Sequence, residues 1–146
     1  MNNVVLEFSS RVENVAFARV AAAAFVSQLD FTISDLEEIK VAVSEAVSNA
    51  IIHAYENDPE QLVRLEINIA GEYMEMEVVD YGKGIEDIEK AMEPAFSTHP
   101  ERMGLGFSFM RSFMDKLAVQ SAPGQGARVK MSRRAGAPRR AAAQEQ

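Results

Sequence analysis

The chain has no cysteine among its 146 residues. That excludes a disulfide framework and any thiolate-bound metal centre. It has only two histidines, His53 and His99, without zinc-ligand spacing; they read as a helix-end residue and a loop residue. Long apolar runs are missing too. The longest surrounds Val20 to Val26 and is too short to span a bilayer. The opening Met1-Asn-Asn-Val4 lacks the basic and apolar regions of a signal peptide, so a cytoplasmic location is expected. Positive charge is scarce over most of the chain: residues 1–127 carry 9 Lys/Arg against 21 Asp/Glu. Phosphate backbones demand a basic surface, so direct nucleic-acid binding is not expected. An acidic body suits a basic protein partner instead.

What is present describes one soluble domain. A mass of 16.1 kDa, 47% hydrophobic residues and 25% charged residues allow a sheet-plus-helix core. Residues 1–134 are expected to form that domain. Residues 135–146, rich in Ala, Arg and Gln with Pro138, read as a disordered tail.

Hydrophobic periodicity orders the elements. Val4–Phe8 reads as a first strand, and residues 14–28 as a helix burying Val15, Phe17, Val20, Ala24 and Phe25. A second helix is expected from an N-cap at Ser34, boxed with Glu37, to about His53, ending at Asn57-Asp58-Pro59. Val63, Leu65, Ile67 and Ile69 alternate with polar residues, turn at Gly71-Glu72, and return through Met74, Met76 and Val78 as a hairpin. From Gly82 to Met103 the pattern loosens into a short helix near 86–92 and a long irregular connection, the kind that often serves as a lid. A helix from Gly106 to Lys116 follows, with Phe107, Met110, Phe113 and Met114 apolar, then a hairpin of residues 117–121 and 127–131. The fold class this order gives is an α+β two-layer sandwich, with helices over one face of a mixed, mainly antiparallel sheet.

Three separated stretches carry chemistry. On the second helix Leu36, Ile39, Val43, Ala46, Val47 and Ala50 form the sheet-facing stripe, while Glu45 and Asn49 lie four residues apart on nearly the opposite side. Val41, Ala42 and Ile52 make that second side apolar as well, so it covers another helix, a partner or a ligand. An Asn carbonyl oxygen is a hard donor suited to Mg²⁺. A carboxylate one turn away can act as general base. An exposed Glu beside a locally bonded Asn fits the same residues. Asp80-Tyr-Gly82-Lys-Gly84 directly follows a strand. A buried Asp there could accept from an adenine amino group, with Gly82 and Gly84 letting backbone approach the base; a plain strand-ending turn is the alternative. Gly104-Leu-Gly106 stands where a loop becomes a helix, suited to phosphate, and Arg102 adds a fixed positive charge; a flexible pair of loop glycines is the alternative.

In this order the three stretches resemble the boxes of the GHKL (Bergerat) ATP-binding family. The match narrows outside them. The segments 16–20, 25–30, 38–40, 43–53, 94–100 and 104–110 resemble the anti-sigma F factors of endospore-forming bacteria, and residues 4–132 match in register. The resemblance implies a protein that binds sigma F, keeping it from RNA polymerase core. It also implies a serine kinase that uses ATP to phosphorylate an anti-anti-sigma factor, controlling sporulation transcription. It implies Glu45 as base, Asn49 as Mg²⁺ ligand and Asp80 as adenine reader. Gly82, Gly84, Gly104 and Gly106 would shape the loops around ATP or ADP, with Thr98 and Arg102 in the lid. Arg19 would lie on the face shared by both protein partners, and a homodimer would form through the sheet side.

The chain departs from the family pattern at three points. Its lid, Thr98 to Met103, is about two residues shorter, His99 replaces a lysine, and Ala127 stands where a hydroxyl residue is usual. A nucleotide-binding anti-sigma module without kinase activity, or a sibling stress-response anti-sigma kinase, is the alternative.

Overall fold

The computed structural model describes residues 1–85, 87, 88, 92 and 102–136. The strands are β1 (Asn2–Ser9), β2 (Leu62–Ala70), β3 (Tyr73–Asp80), β4 (Lys116–Ser121) and β5 (Ala127–Arg134). The helices are α1 (Glu13–Val26), α2 (Ile33–Asn49) and α3 (Arg102–Phe113). One five-stranded sheet runs in the order β1-β2-β3-β5-β4. Every described pairing is antiparallel. The parallel component expected of a mixed sheet is absent among the described strands, because β5, the returning strand of the last hairpin, lies beside β3.

Period-two alternation sets the register of the sheet. Val63, Leu65, Ile67 and Ile69 of β2 are buried, as are Met74, Met76 and Val78 of β3 and Val129 and Met131 of β5. This face is the core floor. Each such side chain contributes about 1.5–3 kcal/mol by leaving water. Gly71, at φ 62°, turns the β2–β3 hairpin.

The second helix starts two residues earlier than the pattern suggested. Thr32 is extended (φ −74°, ψ 169°), accepts from the Asp35 amide and donates its own amide to Asp35 Oδ2. Two capping patterns overlap here. Ser34 is already helical, so the box closes on Thr32 and Asp35 rather than on Ser34 and Glu37. The expected stripe is buried from Ile39 to Ala50, with Leu36 packed at its edge. Ala42 is buried as well, because α1 and α3 both pack against α2.

The expected face of α1 is corrected more substantially. Phe17 and Val20 are exposed, at 53% and 58%, and the buried residues are Ala18, Ala22, Ala23 and Val26. Small side chains let α1 approach α2 closely, so alanine takes the interface and the larger residues stay outside.

Past Asn49 the chain continues as a π-helical turn, Ala50–Ala54, with the Tyr55 amide bonded to the Ala50 carbonyl. Glu56 and Asn57 then adopt positive φ and end the helix where the Asn57-Asp58-Pro59 signal placed the stop. The third helix begins at Arg102, not at Gly106, so both Gly104 and Gly106 lie within its first two turns. Phe107, Met110 and Met114 are buried under it. Most of the segment expected as a short helix and lid lies outside the described residues, as do residues 137–146. Ala135, placed by sequence at the start of the tail, is buried and donates to the Glu72 carbonyl. No helix among the described residues is long and apolar enough to cross a membrane.

Candidate functional site

The end of α2, its π-helical turn, the end of β3 and the start of β5 line a narrow cleft. One wall is a ladder of Ala46, Ala50 and Ala54, four residues apart, with Asn49 and His53 beside it. Val78, Val129, Ala127, Phe107 and Ile85 complete a mostly apolar lining, into which Asp80, Lys83 and Gly84 bring polar groups.

Asp80 is buried at the end of β3. Its Oδ1 accepts from the Gly82 amide at 2.9 Å, and the Ala127 amide bonds to the carboxyl as well. Burial pushes its pKa above the usual carboxylate range, and these two amides only partly oppose that. The result is a fixed oxygen acceptor in an apolar cleft, the kind of group that reads an amino substituent on a flat ring.

The loop after Asp80 is locked to the protein on two sides. A Cβ at Gly82 would stand 2.4 Å from the Ala54 carbonyl oxygen, and one at Gly84 would stand 2.0 Å from that of Ala122. Both glycines therefore admit close contact with the protein's own backbone, and Gly84 also faces the cleft. The Tyr55 hydroxyl accepts from the Tyr81 amide at 2.6 Å and donates to the Leu62 carbonyl at 2.7 Å. Tyr55 is buried, and desolvation raises its pKa. Sequence reasoning missed this residue; its place directly after the helix, in the element that the glycine loop must touch, was the available signal.

Asn49 lines the cleft, and its Nδ2 is buried without a hydrogen-bond partner among the described residues. Gly106 meets this part of α2: a Cβ there would lie 2.8 Å from Glu45 Oε1, 3.5 Å from Asn49 Nδ2 and 3.6 Å from Glu45 Cβ. Two of the three separated stretches thus touch directly, and Asn49 and Asp80 share a cleft. The backbone of Gly104 lies in the first turn of α3, where helix amides lack intrahelical acceptors. Thr98 and the side chain of Arg102 lie outside the described parts. Arg19 sits on the seam between α1 and α2, with Nη1 donating to Ser44 Oγ at 3.3 Å, one residue before Glu45. It does not line the cleft.

The fold and cleft have counterparts. A family model described as "Histidine kinase-like ATPase domain" matches residues 8–133. An anti-sigma F factor of Clostridium botulinum (strain Alaska E43 / Type E3) is 49% identical over 135 residues, covering 91% of this chain and 94% of that protein. The anti-sigma F factor of Clostridium beijerinckii is 51% identical over 130 residues, covering 88% and 91%. Among solved structures, one containing the RsbU and RsbW domains of a Mycobacterium tuberculosis protein superposes with a TM-score of 0.64. It covers 92% of this chain and 33% of that one at 17% identity, a likeness of fold. The architecture is that of a histidine kinase-like ATPase domain. The chain belongs to that family and, within it, to the family of the anti-sigma F factors.

Proposed function

We propose that this chain is an anti-sigma factor and an ATP-dependent protein serine kinase. In this reading it binds sigma F, blocks its association with RNA polymerase core, and phosphorylates an anti-anti-sigma factor to control sporulation transcription. The observation that carries the reading is the meeting of Gly106 with Glu45 and Asn49 beside a cleft that Asn49 and Asp80 both line. In this reading a purine lies against the apolar lining with its amino group on Asp80. The phosphates of ATP then lie toward the start of α3, where Gly104 and Gly106 keep the approach free of side chains.

The donor set fits magnesium. Asn49 offers an amide oxygen, a hard donor for the ion, and its amide nitrogen, without a partner among the described residues, is a donor suited to a phosphate oxygen. Bound magnesium would neutralise phosphate charge during transfer. Glu45 takes the proton from the partner's serine hydroxyl as that oxygen bonds to the γ-phosphorus and ADP leaves. Thr98 and Arg102 are proposed to cover the phosphates. Phosphoryl transfer asks mainly for positioning and charge neutralisation, so this short set of groups suffices.

The protein-binding role is assigned to α1. Exposed Phe17 and Val20 on α1, with exposed Val12 just before it and half-buried Arg19 beside them, offer apolar side chains and a cation for a protein interface. A homodimer through the sheet side and a cytoplasmic location belong to the same reading; β1 stands at the sheet edge. One observation favours a second reading, a nucleotide-binding module that transfers no phosphate: Ala127 lines the cleft and brings no hydroxyl to it.

Incubation with labelled ATP, Mg²⁺ and the anti-anti-sigma factor separates the two. Label on a partner serine with wild type, and not with Glu45→Ala, is the expected result. Nucleotide binding by wild type without any transfer would leave only the binding module.

A further inference from the structure

Arg133, in β5, heads the fully buried side chains by size, at 1% exposure, and no step above uses it. Its guanidinium joins three elements. Nη2 donates to Asp35 Oδ1 at 2.6 Å, while Nη1 donates to Glu38 Oε1 and to the Phe113 carbonyl, both at 2.9 Å. Cζ lies 5.8 Å from the centre of the Phe31 ring, and Nε finds no hydrogen-bond partner among the described residues. Asp35 uses its other oxygen to close the capping box with Thr32. One carboxylate therefore both starts α2 and holds Arg133.

The placement of these contacts matters more than their number. Asp35 and Glu38 lie in the first two turns of α2, and Phe113 is the last residue of α3. At their other ends the same two helices meet where Gly106 touches Glu45 and Asn49. About two helical turns, roughly 10 Å, separate Phe113 from Gly106 and Glu38 from Glu45. The helices are thus fixed together at both ends: by Arg133 at one, by the glycine contact at the other. Buried ion pairs are poor stability devices, since apolar residues of similar volume often serve as well. A planar fork with two carboxylates and a carbonyl instead selects one geometry.

We infer that Arg133 is a positioning residue for the nucleotide site. It sets α3 along α2, so that the first turns of α3 face the phosphates and Gly106 sits against Glu45. This assignment rests on the kinase reading for what the site does. The acceptor end of the cleft is held by other contacts, those of Tyr55, Gly82 and Ala127 with the Asp80–Gly84 loop. Arg133 therefore governs the phosphate-dependent part of affinity more than the base-dependent part.

The test uses the full chain with Arg133→Lys and Arg133→Met, below the onset of thermal unfolding. Glu38→Gln, which keeps an acceptor but removes one charge, serves if the Arg133 variants do not fold. Calorimetry with Mg²⁺ compares ATP with adenosine, and amide hydrogen exchange follows residues 107–113 without nucleotide. In Arg133→Met, ATP affinity is expected to fall about tenfold and adenosine affinity by less than about twofold. Arg133→Lys is expected to lie between, with α3 exchanging faster than in wild type while β2 does not. Parallel losses for ATP and adenosine, or unchanged exchange in α3, would overturn the assignment. If wild type binds neither ligand while α3 exchange still depends on Arg133, the kinase reading fails. The positional role of Arg133 in a nucleotide site fails with it, and the helix tie alone remains.

Discussion

Gly106 lies so close to Glu45 that a methyl group on its Cα would stand 2.8 Å from Glu45 Oε1. This contact brings the start of α3 against the C-terminal part of α2, two segments distant in sequence. It also sets apart two effects of Gly106→Ala. Alanine favours a helix over glycine by about 1 kcal/mol, and the crowded atom is the end of a flexible side chain. Stability in urea unfolding should therefore hold or rise. The Glu45 carboxylate must move, so phosphate transfer to the partner serine should fall by about tenfold or more. A wild-type transfer rate in this variant would detach Glu45 from the chemistry.

Tyr55 joins the helix end to the loop after β3. Tyr55→Phe keeps the ring but leaves the Tyr81 amide and the Leu62 carbonyl without their present partner. Each of these part-buried hydrogen bonds is worth about 0.5–1.5 kcal/mol. Denaturant unfolding should show a loss of that order, and adenosine binding should weaken as the Asp80 loop loosens. Unchanged stability would mean that the loop is held by its glycine contacts alone.

Asp80 gives a pH signature whose sign is fixed. Burial raises its pKa in the folded state, so folding favours the protonated form. Its stabilising contribution is full below the unfolded pKa and is lost as pH rises through the higher folded pKa. An adenine amino group bonds best to the ionised carboxylate, so ligand binding must pull that pKa down. Carboxyl-carbon NMR titration should find Asp80 above the usual carboxylate range when free and lower with adenosine bound. An Asp80 pKa indifferent to adenosine would place the base elsewhere. Asp80→Ala should reduce adenosine affinity by about tenfold or more, the worth of a hydrogen bond to a charged group.

The sheet was legible because burial on one face forces strict alternation: Val63 to Ile69 and Met74 to Val78 fall as their pattern requires. The stop after α2 was legible from turn residues that tolerate positive φ. The α1 interface was not. Apolar size and buried face part company when Ala18 and Ala22 allow close helix packing, leaving Phe17 and Val20 in solvent. The choice of Thr32 over Ser34 was hidden because two capping patterns overlap. Glu45, Asn49, Asp80 and the glycines could be named from residue type and order. Their mutual contact could not, because it comes from the packing of α3 along α2, which leaves no periodic trace of which residues meet.

The account stands or falls on Asn49 and Asp80 serving one magnesium–nucleotide site. The most direct test is calorimetry of ATP binding with and without Mg²⁺, in wild type and Asn49→Ala, with adenosine as the reference ligand. Wild type should bind ATP more tightly with Mg²⁺. Asn49→Ala should lose most of that increment while adenosine binding stays within about twofold. Equal magnesium dependence in both proteins would contradict the claim.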